Sequence, residues 1–147
     1  MKTIQAIIEA RGGLAALKRE AISIENNPYM RLCIEQIDQT PGGWPIISVA
    51  HYGEQNGDAM RDPDMVFEVY PFDKDGARYP ATVWKWLPMS FQDDYMGTMQ
   101  HAVYTDGQGR KMMRPKLVKE LTAFAAVWDR NIRAQGYAEA AALQGTA

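Results

Sequence analysis

The stretch HYGEQNGDAMRDPDM, residues 51–65, crowds a histidine and several carboxylates into a short span between two runs of β-forming residues. His51, Glu54, Asp58, Asp62 and Asp64, with Glu68 beyond them, are side chains of the kind that Mg²⁺, Mn²⁺ or Zn²⁺ accepts. The spacing follows no established metal motif. An EF-hand loop needs alternating oxygen ligands before its glycine and a closing glutamate. HExxH is absent, and Cys33 is the single cysteine, so no zinc knuckle can form. Pro63-Asp64 with Glu68 supplies two acids of a nuclease-type Mg²⁺ site, but Tyr70 stands where such a site wants lysine. Metal binding, and with it phosphodiester cleavage, is one reading of this stretch.

The other reading is a solvated hairpin. Asn56-Gly57 tolerates the positive φ angles that a tight turn demands. Asp58 and Asp62 can accept from nearby backbone amides, and Asp62-Pro63 favours a local turn. A strand histidine is more often packed or half-exposed than catalytic, and the same holds for His101. No Ser-His-Asp set assembles from the sequence. Cys33 has only Arg31 beside it to lower its pKa, so it is expected to be a small core residue. On this reading the acidic stretch from Glu54 to Asp64 is a binding surface for a basic partner.

Charge is distributed unevenly. Residues 51–75 hold seven acids and two basic residues, whereas residues 110–133 hold seven basic residues and two acids. Lys116, Lys119, Arg130 and Arg133 fall on one side of a helix, and Arg110, Lys111 and Arg114 lie just upstream, a pattern that suits an anion such as nucleic acid. The i,i+4 pairs Lys116/Glu120 and Asp129/Arg133 equally describe a solvated helix. Trp84 and Trp86 share a strand face, with Phe91 and Tyr95 close behind. Together with the nine methionines, among them Met89, Met96, Met99, Met112 and Met113, they are expected in the core, although exposed they would mark a partner surface.

These residues need elements to position them. Ile4, Ile7 and Ile8 at helical spacing, with Thr3 as a cap and Gly12-Gly13 as a stop, predict a first helix, and LAALKREA a second. Alternation then takes over. Met30, Leu32 and Ile34 share one strand face; WPIISVAHY, MVFEVYPF, ATVWKWL and MGTMQHAVY supply four more strands, joined at TPGG and DKDGARYP. A long helix runs from Pro115 to Gly136 with Leu117, Leu121, Phe124, Trp128 and Ile132 on one face. The expected fold is α+β: an antiparallel sheet of about five strands, two short N-terminal helices, and one long C-terminal amphipathic helix packed on the sheet. One domain is expected over residues 1–137, with residues 138–147 a frayed tail.

The length of 147 residues and 46% hydrophobic content suit one sizeable core, and the formal charge of −2 excludes a grossly basic nucleic-acid binder. A lone cysteine, no signal-like segment and no run of roughly 20 apolar residues point to a cytoplasmic protein without a membrane span. An uncovered sheet edge or methionine surface would make a homodimer reasonable. No cofactor is expected beyond an optional divalent metal.

Three segments carry a resemblance: ISVAHYGEQNGDAMRDPDMVFEV, LPMSFQDDYMGTMQHAVY and FAAVWDRNIRAQGY. Across residues 28–137 the chain resembles a family of small bacterial proteins from plasmids, conjugative elements and phages, with a motif of the form HYxEQNGDxMRDPxM. Gly53 departs from the tyrosine common there. The resemblance implies a mobile-DNA setting and no catalytic residue. The expectation is a non-enzymatic accessory protein that binds a host or element protein, in the manner of a defence inhibitor. A nucleic-acid binder and a metal-dependent phosphodiesterase are the alternatives.

Overall fold

The computed structural model describes residues 1–71 and 83–145. Helices α1 (Lys2–Ala10) and α2 (Gly13–Arg19) precede strands β1 (Ile22–Asn26), β2 (Tyr29–Gln39), β3 (Pro45–Gln55), β4 (Asp58–Tyr70), β5 (Lys85–Asp93) and β6 (Thr98–His101). A small hairpin of β7 (Val103–Thr105) and β8 (Lys111–Met113) leads into α3 (Pro115–Ala134) and α4 (Tyr137–Gln144). Strands β1 to β6 form one antiparallel sheet in sequence order, a meander.

The α+β class therefore holds, with corrected counts: four helices, a six-stranded sheet and a separate two-stranded one among the described residues. Strand β1 escapes sequence reading because its five residues follow a helix-forming run and alternate too briefly to stand out. The strand expected at ATVWKWL instead starts at Lys85 and runs on to Asp93. Pro88 lies at a register shift, where a missing N–H is tolerated. The turn expected in DKDGARYP lies outside the described residues.

One face of the sheet is apolar by alternation. Leu32 and Ile34, Ile47 and Val49, and Met65, Phe67 and Val69 stand next to one another across β2, β3 and β4 and are fully buried. The helices cover this face with Ile4, Ile7 and Ile8 of α1, Leu17 of α2, Leu121, Ala125, Trp128 and Ile132 of α3, and Tyr137 and Ala141 of α4. Phe124, expected in the buried stripe, lies at its margin and is 40% exposed, with its ring edge-on to Phe91 at 5.2 Å.

Residues 138–147 need a correction. Instead of a frayed tail, most of them continue helix α4. Gly136, with φ of 84°, ends α3 in the left-handed conformation and turns the chain into α4. The alanine-rich sequence then favours helix, and Tyr137 and Ala141 bury against the core. Gln144 exchanges two hydrogen bonds with the backbone of Glu25 on the edge strand β1.

Candidate functional site

The meander brings the β1–β2, β3–β4 and β5–β6 turns to one end of the sheet. Here Asn56 and Gly57 adopt φ of 54° and 85°, both left-handed, between paired Gln55 and Asp58. That is the two-residue hairpin turn that Asn-Gly favours. Strand β3 pairs with β2 as far as Tyr52, and β4 with β5 as far as Asp64, so the tip beyond them projects from the sheet. Glu54, Asn56 and Asp58 are exposed on it.

The acids of this stretch do not converge, because all but the two turn residues belong to strands and alternate faces. Among the described residues no three His, Cys, Asp or Glu side chains come together in a way that would hold a metal ion. His51 belongs to the core side, 6% exposed, with its ring 5.5 Å from Trp128 and 5.3 Å from Tyr137. Burial lowers its pKa to about 4, against the opposing effect of hydrogen bonds to the Arg31 and Met30 backbones. It is neutral at physiological pH. Its Nδ1 and the Trp128 Nε1 are buried with no hydrogen-bond partner among the described residues.

Asp64 points to the opposite face, where it accepts a 2.7 Å hydrogen bond from Ser48 Oγ. Burial raises its pKa, with Ser48 and Arg61 opposing. Asp62 sits where two β4 residues oppose one of β3, and it hydrogen-bonds the buried Asp93 of β5. That hydrogen bond, with burial and the neighbouring Asp93 charge adding to it, pushes Asp62 up to about 6. Beside this pair, Arg61 donates through its backbone N–H and Nε to Asp94 at 2.8 and 3.1 Å and through a terminal nitrogen to Gln92. Those bonds, the backbone one first, hold Asp94 below the usual carboxylate range. Glu68 lies away from this end. It is 2% exposed and bound by Lys111 Nζ at 2.7 Å and by the Tyr70 hydroxyl.

The basic residues also divide. Arg110 pairs with Asp106 at 2.9 Å, Lys111 with Glu68, and Arg114 donates to the His101 carbonyl at 2.8 Å while stacking 4.2 Å over Tyr104. Lys116 is 3.9 Å from Glu120, at the outer limit of an ion pair. Lys119, Arg130 and Arg133 are exposed on α3. Asp129 is not a partner of Arg133 in the structure. It is buried against α1, accepting from the Thr3 N–H at 3.2 Å and the Ile4 N–H at 3.4 Å. Thr3, read as a cap, is capped itself.

Sequence reasoning missed the aromatic and apolar flank of the hairpin. Tyr95, Met96 and Met99 are 45%, 76% and 48% exposed, which corrects their expected place in the core, and Tyr29 is 44% exposed. Met112 and Met113 are exposed as well, whereas Trp84 is buried and stacks on half-buried Trp86 at 6.2 Å. Tyr95 reaches the hairpin directly, donating to the Glu54 carbonyl at 3.4 Å. A Cβ at Gly53 would stand 2.5 Å from the Tyr95 hydroxyl oxygen, so this glycine makes room for that ring. Cys33 is half-exposed on the face opposite the helices, beside Ser23, and is not a core residue. A groove of about 590 Å³ runs along this end past Glu25, Tyr29, Arg31, Tyr52 and Glu54.

An antiparallel meander backed by four helices, with its sequence motif at one turn end, defines the class of this chain. The chain belongs to the DUF6908 family, a domain of unknown function, which matches residues 2–138. No curated protein and no solved structure matches it. Among the described residues no helix is long and apolar enough to cross a membrane.

Proposed function

We propose that this chain is a non-enzymatic accessory protein of a bacterial mobile element that captures a host or element protein, as a defence inhibitor would, through the turn end of its sheet. One observation carries the reading. The projecting Asn56-Gly57 hairpin presents exposed Glu54 and Asp58, with Tyr95 bonded to the Glu54 carbonyl and exposed Tyr29 lining the 590 Å³ groove together with Glu54. Aromatic anchors in a charged rim are what protein interfaces use: the rings supply desolvated contact area, and the charges steer and orient the partner. The net sign at this end is acidic, so the fitting partner surface is basic. The resemblance of the HYGEQNGDAMRDPDM segment to proteins of plasmids and phages supports the setting.

Affinity capture from a host lysate tests this reading, with nuclease-treated and untreated samples. The wild type and the Lys119→Ala/Arg130→Ala/Arg133→Ala variant are expected to retain the same protein, and the Glu54→Lys/Asp58→Lys variant to lose it. The two acids and the three cations are exposed, so unfolding free energies should move by no more than about 0.5 kcal/mol per substitution. Retention of nucleic acid that disappears with the helix variant would replace this reading by the nucleic-acid one. A stoichiometric Mn²⁺ signal in calorimetry, lost in Asp64→Ala, would favour the phosphodiesterase instead.

A further inference from the structure

On the helix side of the same turn end lies a second cavity of about 410 Å³. Tyr29, His51, Asp62, Trp128, Asn131 and Tyr137 line it, and it shares the segment Pro28–Met30 with the groove on the other side. Its walls are aromatic: Tyr29 and Tyr137 stand 6.4 Å apart, and His51 lies against both Tyr137 and Trp128. Tyr29 is the accessible wall at 44% exposure, while His51, Trp128 and Tyr137 are buried in the core. At its edge Asp62 hydrogen-bonds Asp93. Arg61, next to Asp62 in sequence, is engaged by Asp94 and Gln92.

We infer that this pocket receives the guanidinium of an arginine side chain from the partner polypeptide, stacked on the aromatic wall with its N–H groups on Asp62. The inference rests on the partner-surface reading above and narrows it to one anchoring residue. A guanidinium is planar and weakly hydrated, so it stacks on rings at low desolvation cost, and it offers five donors. The pocket supplies what those donors need: a carboxylate at Asp62 and the side-chain oxygen of Asn131. Beside Asp93, Asp62 keeps its proton up to about pH 6; an entering guanidinium brings positive charge to this carboxyl and, below that pH, displaces the proton to solvent. The other titratable groups facing the pocket are Tyr29, Tyr137 and His51, the last neutral through burial, with the Arg61–Asp94 pair adjoining. Binding therefore strengthens as pH rises through about 6, where Asp62 gives up its proton.

The test uses the full chain and three small probes: Nα-acetyl-arginine methylamide, the lysine equivalent, and the uncharged isostere Nα-acetyl-citrulline methylamide. The readout is the indole N–H resonance of Trp128, assigned with Trp128→Phe. Saturable shifts with the arginine probe, about tenfold weaker binding of citrulline, and weakening between pH 7.5 and 5 are expected. Asp62→Asn and, independently, Tyr29→Ala should each lose that preference while keeping a dispersed spectrum. Equal binding of citrulline, tighter binding of lysine, or no shift at Trp128 overturns the inference. The Glu54→Lys/Asp58→Lys variant should bind the probe as the wild type does. A probe that fails while partner capture persists removes only the arginine pocket, and the reverse result removes only the hairpin surface.

Discussion

His51 and Asp62 titrate in opposite senses across one pH window. With its pKa lowered to about 4, His51 refuses a proton that the unfolded chain accepts near its ordinary value of 6.5. Its contribution to stability is complete above that value and falls as pH drops toward 4. Asp62, raised to about 6 by its hydrogen bond with Asp93, holds a proton that the unfolded chain releases down to 3.8. Its contribution is complete below 3.8 and is lost as pH rises through 6. The two slopes offset each other in the wild type. Unfolding free energies of Asp62→Asn from urea titrations should therefore fall more steeply than those of the wild type between pH 6.5 and 4, by at most about 1.4 kcal/mol per pH unit. Parallel curves would refute the opposing pair. A second residue-scale prediction concerns Glu68, buried with Lys111 as its counter-ion. Lys111→Met should cost about 2 kcal/mol, because it strands a buried carboxylate. Adding Glu68→Gln should recover part of that loss, and a denaturant double-mutant cycle reads the difference.

At the scale of elements, α1 depends on a residue far away in sequence. Its N-terminal amides end on the Asp129 carboxylate of α3, with Met1 as N-cap contributing no side-chain bond. Asp129→Ala is expected to cost about 1–2 kcal/mol in chemical denaturation, and amide exchange should rise in the first turn of α1. Asp129→Asn should keep part of the cap. Local elements were legible where chemistry and period agree. The alternation of Met30, Leu32 and Ile34 and of Met65, Phe67 and Val69 put the core face where the structure has it, although Met30 itself is half-exposed. Asn56-Gly57 encodes its own turn, since few other residues accept two left-handed positions in succession. Strand β1 and helix α4 were not legible, because a five-residue alternation and an alanine-rich end acquire their structure from the neighbours they pack on.

At the scale of the whole molecule, α4 closes the core at the turn end. Tyr137 is fully buried, stands 5.3 Å from the His51 ring, and hydrogen-bonds the Met30 carbonyl. Truncation after Gly136 should therefore lower stability by about 3–5 kcal/mol, the range for losing a large buried aromatic, and broaden the thermal transition. A tail without structural weight would leave melting unchanged. The same closure builds the 410 Å³ pocket, whose walls come from β2, β3, β4, α3 and α4. Residue types and periods alone determined the α+β class, the single apolar sheet face, the hairpin turn and the acidic character of its tip, because each depends on neighbours close in the chain. Only the tertiary structure decided that His51 is a neutral core residue, that Asp62 meets Asp93 while Asp64 turns to the other face, and that Tyr29 and Tyr95 flank the hairpin. Those outcomes depend on strand register and on which turns the meander brings to a common end, and both are set by packing between segments distant in sequence.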